Sequence, residues 1–279
     1  MSFKEIMNST HMVENHGEIL DEKWVASQAN PLVKFLKEKD FSEIVAGRED
    51  YREAFLPEGE TLKDLRCADG REEISDPLKD GKLAEAGQCI LYSDEQLEKF
   101  VAANKGKIKS VSSHAGCGAA KIKYDQMLSA GLPLPEGVTT SDELGVYFSK
   151  QLAEKLGAQY GHTGPEGLRS QEHDESMLIL AHANFDASKI KNLPAHFSSH
   201  ALTLNNNSDY IKASTEILSG IALGGHGFGS RFTAENPFYV VVVAQDAAEL
   251  DSIKSSLSYL IDKSAGRIKI TGSIAPSSN

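Results

Sequence analysis

The feature that most constrains the fold is a strand–helix–strand pattern in the first half of the chain. A short β-prone run at 88–93 passes into a helical stretch that ends at Gly106, and a second β-prone run covers 108–113. Ser93 and Gln96 form the capping-box pattern that marks a helix start. Because such a helix returns the chain to the same end of a sheet, the two strands are predicted to be parallel.

The alternation of strands and helices continues to the C-terminus. Apolar residues at helical spacing cover 140–157, where Gly157 ends the helix. Further strands are predicted at 177–183, 200–204, 238–244 and 267–272, and further helices at 209–223 and 247–263. This alternation predicts an α/β fold with a mostly parallel β-sheet flanked by helices.

Two helical segments, at 23–38 and 40–55, precede the first chemical motif, and Pro31 marks a boundary in the first of them. We therefore expect two parts in the chain. The first is an N-terminal helical arm of residues 1–60. The second is one α/β domain of residues 61–279 with an extended C-terminal half.

The charge and hydropathy of the chain argue against several classes of partner. The net charge is −11, so an acidic surface would repel nucleic acid and anionic membranes. The longest apolar run, FYVVVVA at 238–244, is far shorter than a membrane-spanning helix. The N-terminal residues carry charges where a signal peptide is apolar. We expect a cytoplasmic protein that acts on a small molecule, without a nucleic-acid or membrane partner.

Two of the three cysteines and one histidine supply a candidate metal site. HAGCG follows the predicted strand at 108–113 and places His114 three residues before Cys117, and Cys67 lies upstream. Open α/β sheets build their sites beyond the carboxyl ends of their strands. Two sulfurs and one imidazole are a zinc set with an open fourth position, which is the catalytic pattern. Cys89 is expected to be a buried apolar residue outside the site.

Two charged residues accompany the first cysteine. Cys67, Asp69 and Arg71 occupy alternate positions, so an extended backbone points the three side chains to one side. Each residue alone fits an ordinary buried position or surface ion pair. Together with His114 and Cys117 they favour a metal site with a charged pair beside it.

The two motifs resemble a known signature. CADGR at 67–71 followed by HAGCG at 114–118 is similar to the pair C-x-D-x-R and H-x-x-C-G of the β-class carbonic anhydrases. The order of strand, glycine turn, helix and strand between them is also similar, and the resemblance covers roughly residues 61–125. Gly70 stands where the common β-class motif has serine. This departure and the unusually polar TLKDL before the first cysteine suggest a divergent branch, near the ζ class or the limiting-CO2-inducible type.

The resemblance implies a β-carbonic-anhydrase-like fold and the reversible hydration of CO2 to bicarbonate by a zinc-bound hydroxide. It implies that Zn²⁺ is held by Cys67, His114 and Cys117. In the family the aspartate, here Asp69, hydrogen-bonds the bound water or takes the fourth position itself, and the arginine, here Arg71, holds it off the metal. The family's sites lie at a subunit boundary, so a homodimer or a larger even oligomer is implied.

Two other functions remain open. A hydrolase of CS2 or COS could use the same fold and the same zinc site. A catalytically inactive zinc-binding regulatory subunit could retain the metal ligands without the reaction. Asp69 and Arg71 favour the enzymes, because a protein without catalysis has no chemical need for the pair. One of the other histidines could serve as a proton shuttle, and their spacing does not select one.

Overall fold

The computed structural model describes residues 17–71, 82–170, 172–204, 208–225 and 227–276. The strands in chain order are β1 Asp64–Cys67, β2 Lys82–Glu85, β3 Ser110–His114, β4 Gln159–Thr163, β5 Met177–Ala181, β6 His196–Ser199, β7 Phe238–Ala244 and β8 Ile268–Ile274. The α-helices are α1 Gly17–Ala29, α2 Pro31–Glu38, α3 Phe41–Val45, α4 Glu49–Glu53, α5 Asp94–Asn104, α6 Gly118–Ser129, α7 Ser141–Leu156, α8 Ala201–Leu204, α9 Ser208–Leu223, α10 Ala247–Leu257 and α11 Tyr259–Lys263. Short 3-10 turns lie at Ala86–Cys89, Pro165–Gly167, Ala187–Lys189 and Gly229–Arg231.

The chain forms two compact units whose boundaries differ from the expected ones. The central unit contains the described residues of the range Thr61–Gln171, and the split unit contains those up to Glu60 and from Glu172 onward. The helical segment before residue 61 is therefore part of the split unit and not a separate arm. Its apolar side chains share one core with the strands of that unit: Leu32, Val33, Leu36, Phe41, Val45 and Tyr51 pack with Met177, Ile179, Tyr239, Val241 and Val243.

The central unit contains a four-stranded parallel sheet with the order β2-β1-β3-β4. The predicted helix after Ser93 is confirmed, and the capping box of Ser93 and Gln96 forms at its start. The helix over 140–157 is also confirmed, and it ends at Gly157 in the left-handed conformation with φ 70°. This sheet carries both motifs at the carboxyl ends of its two middle strands.

The predicted strand at 88–93 is wrong. Gly87, Gln88 and Cys89 have φ values of 53°, 51° and 73°, and Ala86–Cys89 is a 3-10 turn. Positive φ breaks an extended backbone, so the run cannot pair as a strand. The strand before α5 is β2, and β1 lies between β2 and β3. β2 and β3 run parallel, and each of them pairs with β1.

The split unit contains a second four-stranded parallel sheet with the order β6-β5-β7-β8. Its strand β7 coincides with the predicted run at 238–244, and all seven residues are buried. The predicted strand at 200–204 is wrong, because the amides of Thr203 and Leu204 bond to the carbonyl of His200 and form α8. The α/β class, with parallel sheets flanked by helices, is thus confirmed, but the described residues form two sheets.

Both sheets have the same strand order when their strands are numbered from the start of each unit. The sequence shows no matching internal repeat, so this similarity is visible only in the fold. No helix in the described part of the chain has both the length and the apolar character that a membrane crossing requires.

Candidate metal centre

Two adjacent strands and one helix bring the cysteines and the histidine of the motifs together. Cys67 is the last residue of β1, His114 is the last residue of β3, and Cys117 is the N-cap of α6. Because β1 and β3 are paired and parallel, their carboxyl ends meet at one edge of the sheet. The ligand atoms of the three side chains lie within 4.8 Å of one another, and all three residues are buried.

The geometry of this cluster fits a tetrahedral zinc ion. The Cys67 and Cys117 sulfurs are 3.8 Å apart. Two sulfurs that each lie about 2.3 Å from a tetrahedral zinc ion are about 3.8 Å from each other. His114 Nδ1 is 2.8 Å from the Ala115 carbonyl oxygen, and donation to that oxygen makes Nε2 the nitrogen that can coordinate. The cluster could thus hold a metal ion through three protein ligands, with a fourth position for a small ligand.

The pKa values of the two neighbouring thiols are shifted in opposite directions. A hydrogen bond from Cys117 lowers the pKa of Cys67 well below its usual value, and the neighbouring His114 adds to this effect against the opposing influence of burial. The pKa of Cys117 is raised well above its usual value, because of its hydrogen bond with Cys67 and because burial disfavours the charged form. Zinc takes thiolates as ligands, so its binding would displace the protons that the two sulfurs carry.

Two backbone amides also donate hydrogen bonds to the cysteine sulfurs. The Gly87 amide lies 3.4 Å from Cys67 Sγ, and the Ala120 amide donates to the Cys117 sulfur from the first turn of α6. A Cβ atom on Gly87 would lie 2.6 Å from Ile90 Cγ2 and 2.8 Å from Ala119 Cβ, so only glycine fits there. The glycine turn was visible in the sequence, but its contact with the sulfur was not.

Asp69 and Arg71 form a buried pair next to the cluster. The Arg71 Nη2 to Asp69 Oδ2 distance is 2.6 Å, Arg71 Nε is 3.1 Å from both carboxylate oxygens, and the Arg71 backbone amide donates to Oδ1 at 2.9 Å. Asp69 Oδ2 is 3.7 Å from His114 Nε2. The Asp69 oxygen nearest the His114 ring is thus also the one that Arg71 Nη2 binds.

The turn that carries this pair is held by long-range hydrogen bonds. Lys82 Nζ donates to the Asp69 carbonyl at 2.9 Å, and the Arg169 amide donates to the Arg71 carbonyl at 2.7 Å. Arg71 Nη2 in turn donates to the Gly116 carbonyl at 2.9 Å, which joins the pair to the loop between His114 and Cys117. No sequence signal marked Lys82 or Arg169.

Cys89, His162 and His182 are not part of the cluster of possible metal ligands. Cys89 is fully buried, and burial raises the pKa of its thiol well above the usual value, as expected for an apolar position. His162 lies on β4 and is bonded to the Ser113 hydroxyl at 2.9 Å. His182, in the split unit, is bonded to Glu249 at 2.9 Å. Neither histidine is selected as a proton shuttle by these contacts.

Comparison with protein-family models, with curated proteins and with solved structures gives no match to this chain. The site is therefore interpreted from its own geometry: a buried Cys2His cluster at the carboxyl ends of two parallel strands, with a carboxylate held beside it by an arginine.

Proposed function

We propose that this protein is a zinc-dependent carbonic anhydrase that interconverts CO2 and bicarbonate. The observation that carries the proposal is the position of Asp69, whose carboxylate oxygen lies 3.7 Å from His114 Nε2 and is fixed by Arg71. A structural zinc site usually has four protein ligands. Here three protein ligands would leave the fourth tetrahedral position to a water molecule, and the oriented Asp69 carboxylate would accept a hydrogen bond from it.

The protein residues would perform three tasks in this reaction. Cys67, His114 and Cys117 would hold the zinc ion, which when bound supplies the Lewis acidity that lowers the pKa of a water molecule towards about 7. Asp69 would accept a hydrogen bond from the attacking water and orient its lone pair towards the CO2 carbon. Arg71 would keep the Asp69 carboxylate away from the fourth position, through the bonds that it already makes to both carboxylate oxygens.

The resemblance of the motifs also leads us to propose a homodimer or a larger even oligomer. Light scattering at micromolar concentration tests this part separately. Twice the chain mass, or an even multiple of it, supports the assembly. An active monomer would contradict the need for a subunit boundary without affecting the zinc site.

Stopped-flow measurement of CO2 hydration, together with metal analysis of the same preparation, tests the function. We expect about one zinc per chain and a rate that rises with pH, because the attacking water must lose a proton. Cys117→Ser should lose both zinc and activity. A zinc-loaded protein without hydration, or a rate that is flat from about pH 6 to 9, would contradict the proposal. Hydrolysis of CS2 or COS by that protein would instead identify the alternative enzyme.

A further inference from the structure

The peptide groups of Gly116 are held from two sides. Its carbonyl accepts a hydrogen bond from Arg71 Nη2 at 2.9 Å, and its amide donates to the Asp142 carboxylate at 3.0 Å. Gly116 has φ 65°, a left-handed conformation that lies between the two ligands His114 and Cys117. A rotation at this position would move the Cys117 sulfur relative to the histidine ring.

Asp142 belongs to a helix whose start is fixed by capping and by packing. It lies in the first turn of α7, where Thr140 and Glu143 form a capping box. The helix packs closely on the start of α6, since a Cβ on Gly145 would lie 3.2 Å from Ala120 Cβ. The helix can therefore serve as a fixed support for Gly116, the exposed residue of the short loop that follows β3.

We propose that Asp142 is a positioning residue for the metal centre. Its carboxylate fixes the Gly116 amide, and the opposite side of the same residue receives Arg71, so Asp142 sets both the Cys117 sulfur and the guanidinium that restrains Asp69. The inference rests on the proposed metal site and not on the reaction that it catalyses. Removing a group that orients a metal ligand typically changes the metal affinity about 10–100-fold.

A purely structural role of Asp142 predicts a different outcome. An acidic residue in the first turn of a helix stabilises that helix whatever else it contacts. Glu143 is in the same first turn, caps the helix through Thr139 and Thr140, and has no hydrogen bond to Gly116 among the described contacts. Glu143→Ala is therefore a matched control that weakens the helix start without removing the bond to the loop.

The test measures how fast the zinc-loaded full-length protein releases its metal to a chromophoric chelator. Asp142→Ala should release zinc about 10–100-fold faster than the parent. Asp142→Asn should stay close to the parent, because its amide oxygen can still accept the Gly116 hydrogen bond. Glu143→Ala should also stay close to the parent while its thermal midpoint falls. The cobalt(II)–thiolate absorption band should shift in Asp142→Ala alone.

Three results would overturn the inference: a parent-like release rate in Asp142→Ala, an equal acceleration in Glu143→Ala, or an Asp142→Asn protein as fast as Asp142→Ala. A parent that takes up neither zinc nor cobalt would overturn it together with the metal site. A parent that holds zinc but does not hydrate CO2 would contradict the proposed function and leave the release experiment valid.

Discussion

The two sheets of this protein have the same strand order but very different side chains at their carboxyl ends. β1 and β5 are the second strands of their sheets, and β3 and β7 are the third. The pairing registers also agree. Leu65 is opposite Val111 in one sheet and Leu180 is opposite Val242 in the other, and in both sheets the third strand ends one residue beyond the second.

Each position of the candidate site thus has a counterpart in the split unit, and each counterpart is apolar. The strand ends Cys67 and His114 correspond to the strand ends Ala181 and Ala244. Asp69 and Arg71 lie two and four residues after the end of β1, and Ala183 and Phe185 lie two and four residues after the end of β5. Cys117 lies three residues after the end of β3, and Ala247 lies three residues after the end of β7.

This difference shows that the sheet provides a place for a site, and the side chains decide whether one is built. In the central unit the strand ends carry buried charge and thiols, which are costly unless they are paired or bind a ligand. In the split unit the same place is occupied by an aromatic cluster. The Phe185 ring lies 4.9 Å from that of Phe55 and 5.9 Å from that of Tyr51.

The largest expected effect tests the charged pair of the central unit. Arg71→Ala should keep its zinc but lose CO2 hydration by several orders of magnitude, because the released Asp69 carboxylate can occupy the fourth position. Arg48→Ala is the matched control, since Arg48 binds Asp50 at the same spacing in the split unit. Its hydration rate per bound zinc should equal that of the parent. A near-parent rate in Arg71→Ala would remove the restraining role of Arg71.

A second effect tests the apolar counterpart of Arg71. Phe185→Ala should reduce the free energy of unfolding by about 3–5 kcal/mol, the usual cost of removing a fully buried aromatic ring. Phe185 is 1 % exposed and contacts two other rings. Denaturant titration gives the change, and metal analysis should show unchanged zinc content. A loss of zinc in Phe185→Ala would mean that zinc binding at the end of β1 depends on the packing at the end of β5.

The smallest effect concerns the pH dependence of the split unit. Arg48 and the Lys191 amide bind the Asp50 carboxylate and hold the pKa of that carboxyl well below its usual value. A lowered folded-state pKa stabilises the protein above the unfolded pKa of about 4, and this stabilisation is lost as the pH falls towards the folded pKa. Asp50→Asn should therefore cost about 1.5 kcal/mol at pH 7 and progressively less in acid.

The exposed Asp251 provides the control for that measurement, because it lies beyond the first turn of α10 and has no hydrogen bond or ion pair among the described contacts. Asp251→Asn should leave the denaturation midpoint nearly unchanged at every pH. A cost for Asp50→Asn that stays constant between neutral and acidic pH would show that the charge of Asp50 is not what stabilises the unit.

Local signals in the sequence predicted much of the fold and grouped the residues of the site. The capping box at Ser93, the closing Gly157 and the apolar run of β7 depend on neighbouring residues, and all three are confirmed. The site residues follow from the same logic, since strands that run parallel end at one edge. The structure brings Cys67, Asp69, Arg71, His114 and Cys117 together there.

The remaining features depend on contacts between distant parts of the chain. The short strand β2 (KLAE) and the largely polar strand β4 (QYGHT) lack an alternating apolar pattern, and they pair with β1 and β3. The run at 88–93 has strand-forming residues, but Gln88 and Cys89 have positive φ and continue the turn in which the Gly87 amide meets the Cys67 sulfur. Asp142 accepts a hydrogen bond from the Gly116 amide, 26 residues earlier in the chain, and no local sequence pattern predicts such a contact.

Zinc content in matched cysteine variants tests the central claim most directly, since all three cysteines are buried and only two end at the proposed site. The parent and Cys89→Ser should each bind about one zinc per chain, and Cys67→Ser should bind almost none. Both variants exchange one sulfur for oxygen, so they differ only in position. A full equivalent of zinc in Cys67→Ser, or its loss in Cys89→Ser alone, would contradict the account.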